Sequence, residues 1–133
     1  MQRLKTRSQF LAVLAGSTIA RTAHFALHRS ALDAASLFAV REVWVGAMVP
    51  KRWAKRAVTR NAIKRQIYNV STCFESTLPV AAHVVRLRSG FDKSRFVSAT
   101  SDALKIAVRQ ELYQLFNTAA VRVDAVASNG LTP

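Results

Sequence analysis

The chain has 133 residues, enough for one hydrophobic core and short of two, and half of them are hydrophobic, which excludes a disordered basic tail. Twenty Lys and Arg against seven Asp and Glu give a formal charge of +13, a balance that calls for a polyanionic partner, nucleic acid first and an anionic membrane surface second. A single cysteine, Cys73, excludes an internal disulfide and a multi-cysteine metal site, in keeping with a reducing, cytoplasmic setting.

In chain order, basic residues, the apolar "FLAVLAG" and then small residues loosely imitate a secretory signal. The same residues read better as a short amphipathic helix of the mature fold. Its N-cap would be Ser8, its stop Gly16, and Phe10, Val13 and Leu14 would share one face. "RTAHFALHRSAL" (21–32) alternates as a strand, with Ala23, Phe25 and Leu27 on one side and His24 and His28 on the other. "VREVWVGAMVP" (40–50) is a second strand, with "DAASLF" as the connection. A helical period runs from about Ala54 to Glu75, "AAHVVRLR" (81–88) is a third strand, and a long helix or two consecutive ones span 94–117. The order α-β-β-α-β-α describes a single compact α+β domain over 1–118, a small mixed sheet packed with helices, followed by a flexible tail over 119–133. No apolar stretch approaches the roughly 20 residues of a membrane-spanning helix.

The central helix carries the strongest signal. "PKRWAKRAVTRNAIKRQIYNV" (50–70) contains Lys51, Arg52, Lys55, Arg56, Arg60, Lys64 and Arg65 and no acid. At 100° per residue, Ile63, Ile67, Val70 and Phe74 form a narrow apolar stripe, while Arg60, Asn61, Lys64, Arg65 and Tyr68 fill an adjoining arc of roughly 140°. A solvated helix face ordinarily mixes signs, since each Glu–Lys i,i+4 pair contributes a few tenths of a kcal/mol. Here Arg56, Arg60 and Lys64 form an i,i+4 ladder of like charge, a cost that a bound polyanion would relieve. Arginine can grip a phosphate bidentately, Asn61 can both donate and accept, and Tyr68 can stack on an unpaired base or sit at the margin of the core.

"RAVTRNAIKR" closely resembles the signature helix of the bacterial ribonuclease P protein subunit, with its R-N-x-x-K-R pattern at Arg60, Asn61, Lys64 and Arg65. The resemblance extends over roughly residues 3–117. "RLKTRSQFLAVLAG" is similar to the family's opening, "HFALH" to its first strand, "VGAMVPKRWAKRA" to the strand entering its basic loop, and "HVVRLRSG" to the strand after the helix. It implies a non-catalytic protein that binds a catalytic RNA and the 5′ leader of precursor tRNA, promoting endonucleolytic removal of that leader in the cytoplasm. Lys51, Arg52, Arg56, Arg60, Asn61, Lys64, Arg65 and Tyr68 would face the RNA subunit. Phe10 and Val13 of the first helix, with Phe25 and Leu27 of the first strand, would line a leader cleft between that helix and the sheet. A left-handed β-α-β crossover is also implied, against the general rule of right-handed crossovers. The chain departs from the family pattern at Pro50, at Trp53, and at Tyr68, where another arginine often stands one turn beyond Lys64 and Arg65.

No catalytic constellation appears in the chain itself. The carboxylates are scattered, and His24 and His28, in H-x-x-x-H on a strand, lack the helix and glutamate of a zinc protease. The resemblance assigns the required Mg2+ to the RNA subunit and no cofactor to the protein. A structural or ribosomal RNA-binding protein without a role in cleavage is the alternative. DNA-binding and membrane-active readings fit less well, because strands flank the basic helix and its apolar stripe is narrow.

Overall fold

The computed structural model describes residues 1–33, 37–91 and 102–131, with side chains described as far as residue 120. Five strands and three helices follow in the order β1 (Gln2–Arg3), α1 (Arg7–Leu14), β2 (Ser17–Arg21), β3 (Phe25–Ser30), β4 (Trp44–Met48), α2 (Ala57–Cys73), β5 (Ala82–Leu87) and α3 (Asp102–Leu131). The strands form one mixed sheet in the order β1-β4-β5-β3-β2. β4 and β5 are parallel neighbours joined through α2, a β-α-β unit, while β3 runs antiparallel to both β5 and β2. The fold is α+β, as expected, with two strands more than the sequence pattern suggests.

Both additional strands have weak signatures. β1 is two residues long, too short to show a period, and is held by hydrogen bonds from Gln2 N to Val43 O and from Leu4 N to Val45 O, each 2.9 Å. β2 follows the end of α1 directly and pairs with β3 through a bulge between Thr18 and Ala20. That irregularity breaks the strict alternation a strand is read from. The stretch read as one strand over 21–32 is therefore the end of β2, a turn and β3.

α1 begins two residues earlier than a Ser8 cap suggests. Thr6 is its N-cap, accepting the Gln9 amide at 3.2 Å, while Gln9 Oε1 accepts the Thr6 and Lys5 amides at 3.1 and 2.7 Å. This capping box satisfies orphan donors that a lone serine would leave open. Gln9 Nε2 also donates to Leu37 O at 2.7 Å, fixing α1 to the β3–β4 connection. Gly16 is required where α1 turns back across β3, since a Cβ there would lie 2.3 Å from Arg29 O.

The sheet divides two cores. On one face Phe25 and Leu27 of β3, Val45 and Ala47 of β4, and Val85 and Leu87 of β5 pack under α2 and α3. The apolar stripe of α2 is present as read: Ile63, Ile67 and Val70 are buried, and half-buried Phe74 stacks on Phe116 with centroids 5.4 Å apart. On the other face Val13 and half-buried Phe10 of α1, with Leu4 just before the helix, cover Trp44, Ala82 and Val84. Asn117 is not the end of the last helix: α3 stays helical through Leu131. The helix start expected near Ser94 lies outside the described residues. No described helix is long and apolar enough to cross a membrane.

Candidate nucleic-acid interface

Helix α2 has no acid anywhere along its 17 residues, and its N-cap residue, Arg56, makes no side-chain cap. A helix N-terminus carries partial positive charge that an acid ordinarily offsets. Here Lys55 and Arg56 add to it instead. Lys51, Arg52, Arg56, Asn61 and Arg65 are exposed, and Arg60, Lys64 and Tyr68 are half-buried. Among the described residues no carboxylate pairs with any of the cations in this set.

The basic loop entering α2 is tightly made. Pro50 O accepts the amides of Trp53 (3.1 Å) and Ala54 (3.2 Å), and Ala54 is buried in the core beneath α2. Arg60 reaches back from the helix, its Nη1 donating to Ala54 O at 3.0 Å and to Lys55 O at 2.8 Å. Half of this arginine's fork is thus spent on fixing the loop, so Arg60 sets the position of Lys51, Arg52 and Arg56 as well as adding charge. Trp53, 38% exposed, lies with the Arg52 guanidinium 5.3 Å from its ring centroid, so the loop does carry its own aromatic contact.

Tyr68 takes the core-margin alternative. Its hydroxyl accepts the Ala47 amide at 3.2 Å, beyond the end of β1, where β4 has no strand partner on that side among the described residues. Its ring is covered by Arg3, whose guanidinium carbon sits 4.0 Å from the centroid. Arg3, exposed and 65 positions from Tyr68, is the side chain that sequence reasoning missed on this surface; no periodic signal connects the two.

The four apolar residues assigned to a leader cleft do not come together. Phe10 and Val13 are on the α1 face, Phe10 so close over β4 that a Cβ on Gly46 would lie 2.6 Å from its ring. Phe25 and Leu27 are fully buried on the opposite face, among residues of α2 and α3. The alternation of β3 places its even positions, Ala26 and His28, on the α1 side. Phe25 and Leu27 are core residues, and Val13, with no exposed surface, supports α1 from beneath.

Among the side chains that the α1 face leaves partly open are Phe10, Met48 and Arg86. Arg86 Nε donates to His28 Nε2 at 3.2 Å, and His28 Nδ1 lies 3.2 Å from the Thr18 hydroxyl. Burial, and then the nearby Arg86 and Arg21 charges, hold His28 below the usual imidazole range. The neutral ring with its proton on Nδ1 toward Thr18 satisfies both contacts. Alternation sets His28 opposite Phe25 and Leu27 without naming the side that α1 covers, and it gives no sign of the partner Arg86 from a distant strand.

His24 takes no part in that surface, so the two histidines of H-x-x-x-H do not converge. Glu111 of α3 accepts the His24 amide (2.7 Å) and the Thr22 hydroxyl (2.6 Å), and its other oxygen lies 2.7 Å from His24 Nδ1. The His24 ring stacks on Phe91 with centroids 4.0 Å apart. This clasp locks the β2–β3 turn to α3.

The family model described as Ribonuclease P matches residues 1–112. The chain belongs to the ribonuclease P protein family. A ribonuclease P protein component from Bordetella parapertussis is 36% identical over 110 residues, 83% of this chain and 85% of its own length. One from Ralstonia pickettii is 32% identical over 123 residues, covering 92% and 82%. Among solved structures, the RNase P protein of Staphylococcus aureus superposes with a TM-score of 0.67 over 90% of this chain and 95% of its own, at 18% identity. The RNase P protein of Thermotoga maritima gives 0.60 at 20% identity, covering 86% and 94%. These structures share the fold. Membership in the ribonuclease P protein family places the chain in tRNA 5′ processing, as part of a ribonuclease and alongside its RNA subunit.

Proposed function

We propose that this chain is the non-catalytic protein subunit of ribonuclease P, binding the catalytic RNA through one surface and the 5′ leader of precursor tRNA through another. The observation that carries this reading is the α2 arc, with Lys51, Arg52, Arg56, Asn61, Lys64 and Arg65 presented beside an uncapped helix N-terminus and no carboxylate among the described residues to neutralise the cations. Docked on RNA, these cations release condensed counterions and screen the repulsion between two polyanions. Arg60 belongs to the same surface chiefly through its hold on the loop.

The leader would lie across the open part of the α1 face. Phe10 offers a ring edge to an unpaired base, Met48 an adaptable apolar floor, and Arg86, steadied through Nε by His28, keeps its terminal nitrogens for a phosphate. Cleavage chemistry and its Mg2+ are assigned to the RNA; the protein's contribution is substrate affinity and placement, in the cytoplasm.

The test is cleavage of precursor tRNA by a bacterial ribonuclease P RNA at low magnesium, with and without the protein. The reading expects a large protein-dependent gain that shrinks when the leader is cut to one or two nucleotides. Tight RNA binding with no gain in cleavage would instead make the chain a structural RNA-binding protein.

A further inference from the structure

Helix α2 carries no cationic side chain after Arg65: the next turns present Tyr68, Asn69 and Thr72. Yet a guanidinium occupies this end of the arc, contributed by β1. We infer that Arg3, laid over the ring of Tyr68, is a phosphate-contacting residue of the catalytic-RNA surface and continues the cationic row beyond the point where α2 itself stops supplying it. The inference rests on the function proposed above and adds to it a residue from outside the signature helix.

The geometry supports this in three ways. First, both partners are tied to the same strand. Arg3 pairs in register with Val45 of β4, and the Tyr68 hydroxyl accepts the amide of Ala47, two residues on. In the parallel pairing Arg3 projects to the side of Val45, the face on which α2 packs, whereas its neighbour Leu4 enters the α1 core. Second, the Arg3 guanidinium carbon lies 4.0 Å from the Tyr68 ring centroid, too close for the group to stand end-on without its terminal nitrogens entering the ring, so the separation favours its flat face. Its five N–H donors lie in its own plane, so stacking positions the fork without consuming it. Third, Arg3 is exposed, and among the described residues no carboxylate or carbonyl takes those donors. Tyr68 lies four residues after Lys64 and three after Arg65, so the ring and the guanidinium above it adjoin both cations along the helix surface. Tyr68 is accordingly a positioning residue: it orders a flexible arginine before RNA arrives, lowering the entropy lost on contact.

The competing explanation is that Arg3 only shields the Tyr68 ring and steadies β1. Arg3→Met separates the two, since an unbranched thioether keeps the stack over the ring and loses the charge. Binding of the full-length protein to ribonuclease P RNA would be measured across a salt series for the wild type, Arg3→Met, Arg3→Met/Tyr68→Arg and Arg65→Ala, with thermal melts of each. The inference expects Arg3→Met to melt like the wild type. It also expects a salt dependence shallower by about one unit of slope and about tenfold weaker binding at moderate salt. Tyr68→Arg, which returns a guanidinium to the helix, should restore the slope in the Arg3→Met background. If Arg3→Met leaves the slope unchanged while Arg65→Ala lowers it, Arg3 is structural and the inference fails with the proposed function intact. If neither changes the slope, the whole α2 surface is removed from the RNA interface and both readings fall.

Discussion

On the α2–α3 side of the sheet, Phe25, Leu27, Val45, Val85 and Leu87 are without exposed surface, and the His83 ring, despite its polar atoms, is fully enclosed. On the α1 side an eight-residue helix covers only part of the same strands, and Phe10, Met48 and Arg86 remain half-open. Two long helices make a dry face that holds the domain together, while one short helix leaves an edge partly open, the edge to which the proposed function assigns the leader. The same strand, β3, serves both: its odd positions are core and its even positions border the open edge. A position's role on this protein therefore follows from which helix lies over it more than from its residue type.

The sharpest way to break that contrast is to exchange an aromatic on each face. Phe25→Ala should cost about 3–5 kcal/mol, read as a fall in melting temperature, because it empties a fully enclosed site. Its folded fraction should still distinguish long from short leaders. Phe10→Ala should cost only about 1 kcal/mol in stability, yet reduce the preference of the holoenzyme for a long leader. The reverse pattern, a mild Phe25→Ala that abolishes leader preference, would exchange the roles of the faces.

The two histidines sharpen it further. His83 sits on the dry face, its Nδ1 accepting from Arg29 Nε at 3.2 Å and its Nε2 donating to Pro79 O at 3.2 Å. Burial, then the Arg29 charge, lowers it to about 4, against a weaker opposing pull from Pro79 O. The unfolded chain, with its imidazole near 6.5, binds the proton more readily than the native state between these values, so stability is complete above about pH 6.5 and falls as pH drops toward 4. The full loss is about 3 kcal/mol, to be read from denaturant midpoints between pH 7 and 4. His28, on the half-covered face, is lowered by the same kinds of cause and acts with the same sign. His83→Gln should flatten most of that acid limb and His28→Gln less; an equal flattening by both would mean the faces are equally dry.

A smaller effect is expected at the clasp between the β2–β3 turn and α3. Glu111→Gln keeps the side chain's size but surrenders the ionised acceptor shared by His24 and Thr22. About 2 kcal/mol of stability should be lost, with hydrogen exchange rising first at residues 22–25 and RNA binding unchanged in the folded protein.

The sequence made the central helix legible because period and charge agree there: Ile63, Ile67 and Val70 had one face to bury and the cations another. Three strands were legible, the first from alternation, the second from its β-branched and aromatic content before Pro50, and the third from the turn residues that bound it. β1 was not, since two residues carry no period, and β2 was hidden by its bulge and by directly following the Gly16 turn that ends α1. For β3, alternation correctly separated Phe25 and Leu27 from His28. It could not say which side α1 would cover, because a period of two defines two faces without naming them. Phe25 and Leu27 were therefore expected on the α1 side, whereas they pack under α2 and α3. The residues brought to the surfaces by tertiary pairing, Arg3 over Tyr68 and Arg86 against His28, lie too far from their partners in sequence for any local pattern to join them.

The division of labour between the surfaces can be measured directly with a single photoreactive probe. Cys73 is exposed and is the chain's one cysteine, so Cys73→Ser clears the background for Met48→Cys or Asn61→Cys, each labelled with a benzophenone and assembled with ribonuclease P RNA and a long-leader precursor tRNA. The account predicts that the probe at 48 crosslinks to leader nucleotides and the probe at 61 to the catalytic RNA. Crosslinks from both positions to the same RNA would contradict it.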